Sequence, residues 1–105
     1  MNLWEAPLPP AGGESAEALI PDKGVLIERI VSNGHVSAAD FWYDQDRDEW
    51  VALLQGQAEI GFADGRRKTL CAGDWLLIPA HDRHQVRWTS ADPPCIWLAV
   101  HGALK

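Results

Sequence analysis

The chain has 105 residues, of which 47% are hydrophobic and 23% charged, as expected for a single globular domain. Its formal charge of −6 argues against nucleic acid as a partner, because neutralising phosphates requires a basic surface. No apolar run approaches the roughly 18 residues of a membrane span. The sequence has no signal-peptide pattern, and its two cysteines form no CxxC pair. We therefore expect a reduced, cytoplasmic protein.

Residues 1–24 are rich in the two residue types that interrupt regular structure. They contain four of the seven prolines and three of the nine glycines. Such a segment neither propagates a helix nor occupies a central strand. We therefore predict an N-terminal arm over residues 1–24, with one helical turn near Ser15–Leu19, packed on a domain that comprises residues 25–105.

Residues 25–105 read as short apolar or β-branched segments separated by turn signals such as Asn33-Gly34 and Asp64-Gly65. No segment has the periodicity of an amphipathic helix. This spacing predicts an all-β antiparallel barrel or sandwich. The predicted strands are Val25–Ser32, Val36–Tyr43, Trp50–Gln55, Gln57–Ala63, Lys68–Cys71, Trp75–Ile78, Gln85–Thr89 and Cys95–His101.

Two of these segments, Trp50–Leu54 and Ile96–Val100, are apolar on both faces of the strand. A strand of this kind belongs to a sheet that is covered on both sides. In a domain this small the outer cover is expected to be a second copy of the chain, so we predict a homodimer.

Two stretches of the sequence carry turn residues and possible ligands at fixed spacing. In the first, six residues separate Glu49 from Gly56; in the second, five separate Gly73 from Pro79, and His84 follows. Together they resemble the two motifs of the cupin family. The resemblance implies a double-stranded β-helix, or jelly-roll barrel, from about residue 25 to residue 101. It also implies a divalent transition metal such as Zn, Mn, Fe or Ni, and a small organic molecule as substrate or ligand.

The chain departs from the family's motifs at the ligand positions. The two histidines expected before Glu49 fall on Tyr43 and Gln45, or on Trp42 and Asp44 in the alternative register. We prefer the first register, because Tyr43, Gln45 and Glu49 share strand parity. In the second motif the ligand histidine is retained as His84, whereas His81 stands where the family has a glycine and Trp88 where it has an asparagine.

These residues support two hypotheses. In the first, the protein is a metal-dependent enzyme in which Glu49, His81, His84 and Gln45 hold the metal and Tyr43 is the catalytic proton donor or acceptor. In the second, no metal is bound and the pocket belongs to a non-catalytic small-ligand-binding or sensing module. His84 would then bond a backbone carbonyl, and His81 would be an exposed turn residue. His101, at the end of the last strand, is a weaker candidate for the same site.

Overall fold

The computed structural model describes residues 1–105 and contains eight strands and no helix. The strands are β1 (Glu14–Ala18), β2 (Leu26–Ser32), β3 (Asp48–Gln55), β4 (Gln57–Phe62), β5 (Arg67–Cys71), β6 (Trp75–Ile78), β7 (His84–Thr89) and β8 (Cys95–Gly102). They form a five-stranded sheet in the order β1-β2-β8-β3-β6 and a three-stranded sheet in the order β5-β4-β7, and every pairing is antiparallel. The prediction of an all-β jelly-roll fold is confirmed. The chain forms no helix that is long and apolar enough to cross a membrane.

The core lies between the two sheets and is built from alternate residues of each strand. In β3, Val51 and Leu53 point inward, and in β8 Trp97 and Ala99 do the same. Such alternation follows from the pleat, which sends successive side chains to opposite faces of a sheet. The ten buried core residues are Val51, Leu53, Ala58, Ile60, Phe62, Leu70, Ile78, Cys95, Trp97 and Ala99.

Seven of the eight predicted strands appear with bounds shifted by at most two residues, but the predicted strand Val36–Tyr43 is wrong. This segment is a loop, and Tyr43 makes only an isolated bridge to His84. Its backbone makes individual hydrogen bonds instead of a ladder. The Ser37 amide donates to the Val86 carbonyl at 2.9 Å, and the Ser37 hydroxyl accepts from the Val86 amide. A hydroxyl that bonds the backbone in this way replaces a regular ladder.

The N-terminal segment contains a strand where a helical turn was predicted. Residues 14–18 form β1, which pairs with β2 along its whole length, so the helical turn near Ser15–Leu19 is wrong. Arg29, on the outer face of β2, donates to Glu17 and to the carbonyls of residues 2, 3 and 5. This guanidinium therefore fastens residues 1–5 to the outside of the five-stranded sheet.

The homodimer stays a prediction. On the outer face of β6, Trp75 is 60% exposed and Leu77 41% exposed. The Trp75 ring lies 6.2 Å from that of Trp50 on the neighbouring strand β3. These side chains form an apolar patch at one edge of the larger sheet.

Two glycines at turns between strands have backbone conformations that residues with a side chain rarely adopt. Gly56, between β3 and β4, has a φ of 90°, and Gly73, between β5 and β6, has a φ of 97°. Only the first is also crowded: a Cβ at Gly56 would lie 2.7 Å from Ser90 Oγ and 2.9 Å from Cys95 Sγ, whereas one at Gly73 would meet nothing within 4 Å. Gly56 is thus constrained by its backbone and by its neighbours.

The pair Gly56→Ala and Gly73→Ala separates these two constraints. Both should lose about 1 kcal/mol of unfolding free energy from the left-handed backbone. Gly56→Ala should lose about 1–3 kcal/mol more, because the added methyl group collides with a packed core. Urea titration followed by circular dichroism measures both. Equal losses in the two variants would show that the space around Gly56 can relax.

Candidate ligand pocket

A cavity of about 160 Å³ lies inside the jelly roll, between the two sheets. Its wall is largely apolar, formed by Ala16, Ile30, Val51, Ile60, Ile78, Val86 and Trp97. The polar side chains that line it are Glu14, Glu28, Tyr43, Gln45, Glu49, His84 and His101. An apolar cavity with a few converging polar groups is the usual form of a small-molecule site.

Strand parity places the polar side chains among the apolar ones. Glu28 is two residues before Ile30 on β2, and Glu49 is two residues before Val51 on β3, so each carboxylate shares a face with a core residue. His101 pairs with Glu49 in the register of β8 and β3 and therefore lies on the same face of the sheet. Tyr43 enters through its bridge to His84, in which each residue's amide donates to the other's carbonyl.

His84 and Glu49 form a buried pair. His84 Nε2 lies 3.7 Å from Glu49 Oε1, and the two side chains are 8% and 9% exposed. His84 Nδ1 donates to the Asp82 carbonyl at 2.9 Å, since a carbonyl can only accept. Burial alone would lower the pKa of His84, but Glu49 and the Asp82 carbonyl outweigh it and leave the pKa raised.

His101 is engaged by a second carboxylate. Its Nε2 lies 2.9 Å from Glu28 Oε1. This hydrogen bond raises the pKa of His101 against the opposing effect of burial, with Glu49 adding to the rise. The imidazolium form of His101 is therefore favoured by the fold.

Tyr43 faces the third carboxylate of the cavity. Its hydroxyl donates to Glu14 Oε2 at 3.4 Å, a long hydrogen bond, and its ring stacks on that of His84 with 5.3 Å between centroids. Burial, followed by the charge of Glu14, raises the pKa of Tyr43 to about 12. The phenol thus keeps its proton throughout the physiological range.

The structure brings four of the five predicted site residues together: Tyr43, Gln45, Glu49 and His84 all line the cavity. Gln45 Oε1 is buried there and accepts no hydrogen bond. The fifth residue, His81, does not line the cavity. Its side chain is 68% exposed and bonds Asp44 through Nδ1 at 2.8 Å.

The backbone explains where His81 points. It is the one residue other than glycine with a positive φ, at 64°. The turn has therefore kept the left-handed conformation of the motif's glycine, and the added side chain leaves it towards solvent. Its position fits the alternative expectation of an exposed turn residue.

Sequence reasoning does not identify two of the pocket residues, Glu14 and Glu28, and it gives His101 only as a weaker candidate for the site. Glu14 lies in the segment predicted as an arm, and Glu28 lies on β2, outside both motifs. One signal was available: in Leu26–Ser32, Glu28 shares its strand face with Ile30, which marks a carboxylate on an otherwise apolar face.

The donor set does not fit the expected metal centre. No three His, Cys, Asp or Glu side chains are placed to share one metal ion. Glu49 lies close to His84, but His101 is bonded to a different carboxylate, Glu28, and His81 lies outside the cavity. A transition metal held by protein side chains usually has at least three such ligands.

Comparison with known proteins gives one family and several similar structures. Residues 30–101 match the model of the cupin domain. A candidate mannose-6-phosphate isomerase from Ralstonia eutropha JMP134 is 44% identical, with a TM-score of 0.88 over 98% of this chain and 96% of that chain. No curated protein matches the chain.

Two more distant structures show the fold alone. A cupin superfamily protein from Desulfitobacterium hafniense DCB-2 is 23% identical, with a TM-score of 0.73 over 94% of this chain and 92% of that chain. The protein NMB1881 from Neisseria meningitidis is 18% identical, with a TM-score of 0.72 over 98% of both chains.

The titration of His101 tests the pairing with Glu28. Because the pKa of His101 is raised, the His101–Glu28 pair makes its full contribution to stability at pH values below the unfolded-state pKa of about 6.5. This contribution is lost as the pH rises through the pKa of His101 in the folded protein. In Glu28→Gln the His101 pKa should fall, as measured from the imidazole resonances by NMR. Glu59→Gln, which changes a carboxylate outside the cavity, is the control and should leave it unchanged. An unshifted His101 in Glu28→Gln would contradict the pairing.

Metal content tests the donor set. Wild-type protein incubated with Zn²⁺, Mn²⁺ or Fe²⁺ and then desalted should retain far less than one ion per chain, because a two-ligand site binds weakly. Elemental analysis measures the retained metal. Close to one ion per chain, lost in His84→Ala, would contradict this expectation. His81→Ala then shows whether the exposed histidine turns inward as a ligand.

Proposed function

This chain belongs to the cupin domain family, and from that premise we propose that it is an enzyme that binds a small organic molecule in the barrel cavity and moves a proton on it. The observation that carries the proposal is the buried pair of His84 and Glu49 within an apolar cavity. A carboxylate that orients and charges an imidazole is a recurring device of general acid–base catalysis.

His84 is the base in this proposal. Its Nδ1 is committed to the Asp82 carbonyl, so in the neutral ring the free lone pair is on Nε2, the atom nearest Glu49. When Nε2 takes a proton from a substrate, the Glu49 carboxylate stabilises the imidazolium that forms. The raised pKa of His84 has the same cause, and a higher pKa makes the imidazole a stronger base.

Tyr43 is the acid. With a pKa raised to about 12, its phenol is protonated when the substrate binds. The hydrogen bond to Glu14 is long at 3.4 Å, so a substrate oxygen can replace the carboxylate as its acceptor. Stacking on His84 fixes the tyrosine ring next to the base.

The relative from Ralstonia eutropha supports a reaction type. A candidate mannose-6-phosphate isomerase would interconvert an aldose and a ketose, which moves a proton between neighbouring carbons. In this chain, His84 Nε2 would take the proton from the carbon next to the carbonyl, while the Tyr43 hydroxyl protonates the carbonyl oxygen to give an enediol. The reverse transfers at the adjacent carbon and oxygen complete the exchange and restore both residues.

A non-catalytic binding module is the second candidate. It is favoured by the partners that the cavity's acidic side chains already have, since Glu28 bonds His101 and Glu14 accepts from Ser32 and Tyr43. Side chains satisfied in this way describe a preformed binding site equally well. The two candidates differ in whether a bound molecule undergoes proton exchange.

Deuterium incorporation distinguishes them. Wild-type protein in D₂O should introduce deuterium next to the carbonyl of mannose, fructose or mannosamine, measured by NMR of the sugar. His84→Gln should slow this by about 10²-fold or more, because the base is lost. His81→Gln removes an exposed histidine and should leave the rate unchanged. Binding without incorporation would favour the module, and an unaffected rate in His84→Gln would remove His84 as the base.

A further inference from the structure

More acidic than basic side chains line the cavity. Three carboxylates line it, those of Glu14, Glu28 and Glu49, and no lysine or arginine does. Its other ionisable groups are two imidazoles and a phenol that stays neutral. The imidazole of His35, outside the lining, lies 3.6 Å from Glu14 Oε2 through Nε2. The basic groups that the carboxylates face are therefore imidazoles only, with no permanently charged cation.

Arginines near the cavity do not correct this balance. Arg29 is on the opposite face of β2, where it bonds Glu17 and arm carbonyls. A neighbouring surface pocket shares Glu28, Gln45 and His101 with the cavity. Arg47 is the only arginine or lysine that lines it, and it is paired with Asp22 at 3.1 Å. Asp44 and Asp46 line the same pocket, where His81 bonds Asp44.

Some hydrogen-bond acceptors in the cavity also lack a donor. Gln45 Oε1 is buried without a donor. The Trp97 indole donates to Ser32 rather than to the cavity, and His84 Nδ1 donates to a backbone carbonyl. The neutral His84 ring therefore presents a lone pair to the Glu49 carboxylate, and two acceptors face each other at 3.7 Å. A buried acceptor without a donor costs about 1–3 kcal/mol.

We propose that the cavity selects a ligand that carries a protonated amine and rejects one that carries a phosphate. An ammonium group supplies three donors and one positive charge, which are the two things the site lacks. The apolar wall of Val51, Ile60 and Val86 takes the carbon skeleton. This assignment rests on the proposed function, because it takes the cavity to be the substrate site.

The competing ligands fit less well. A phosphate would bring two more negative charges next to three carboxylates, with no guanidinium or ammonium to receive them. A neutral sugar could satisfy Gln45 and His84 through its hydroxyls, but it would bring no positive charge to the three carboxylates. An amino sugar offers both kinds of group, so the substrate class differs from the sugar phosphate named for the Ralstonia relative.

Mannosamine, mannose and mannose 6-phosphate share one carbon skeleton, and their net charges are positive, zero and negative. Binding is followed by ¹H–¹⁵N spectra, with the Trp97 indole as the reporter inside the cavity. Mannosamine should bind at least about tenfold more tightly than mannose, equivalent to roughly 1.4 kcal/mol. Mannose 6-phosphate should bind more weakly than mannose.

Charge-removing variants separate this preference from general affinity. Glu14→Gln and Glu28→Gln should weaken the binding of mannosamine by a larger factor than that of mannose, while Glu59→Gln, outside the cavity, should change neither. Equal binding of mannose and mannosamine, or tighter binding of mannose 6-phosphate, would overturn the inference and leave the pocket's function standing. If none of the three perturbs Trp97, and no small amine does so at the highest concentration reached, the inference and the proposed function both fall.

Discussion

Burying a carboxylate inside a protein costs several kcal/mol unless a partner compensates it, and this barrel turns three carboxylates inward. The rest of the pocket is arranged around that constraint. His84 faces Glu49, His101 bonds Glu28, and Ser32 with Tyr43 donates to Glu14. Each partner comes from a different strand or loop than its carboxylate, so these contacts join β1, β2, β3, β7 and β8 around the cavity. Glu49 and Glu28 raise the pKa values of His84 and His101, and burial together with Glu14 raises that of Tyr43.

Sequence reasoning succeeded where a local pattern determines the structure. Turn residues and β-branched runs are local, and they located seven strands to within two residues. The remaining predicted strand, Val36–Tyr43, is wrong because Ser37 and the turn at residues 38–41 bond the backbone without a ladder. An apolar pattern in the sequence does not reveal such bonds. Strand β1 was missed for the opposite reason, since prolines on either side concealed five residues that pair with β2.

The candidate site divides along similar lines. Tyr43, Gln45, Glu49 and His84 are predicted because they lie in or beside motifs with fixed spacing, and all four line the cavity. His81 stood at a motif position too, but its direction depends on a left-handed φ that spacing alone does not disclose. Glu14 and Glu28 belong to strands that no motif marks. Their role follows from the order β1-β2-β8-β3, which brings residues far apart in sequence to one cavity.

The position of β1 in the sheet has a consequence for how the cavity opens. It is an edge strand of five residues whose only strand neighbour is β2, and four of its five residues are exposed. Detaching it breaks one ladder and leaves the core intact, so its local opening free energy is a fraction of that for global unfolding. Because Glu14 and Ala16 belong to the cavity wall, local opening of β1 opens this side of the enclosure. Amide exchange in β1 and escape of a bound molecule should then share one rate-limiting motion.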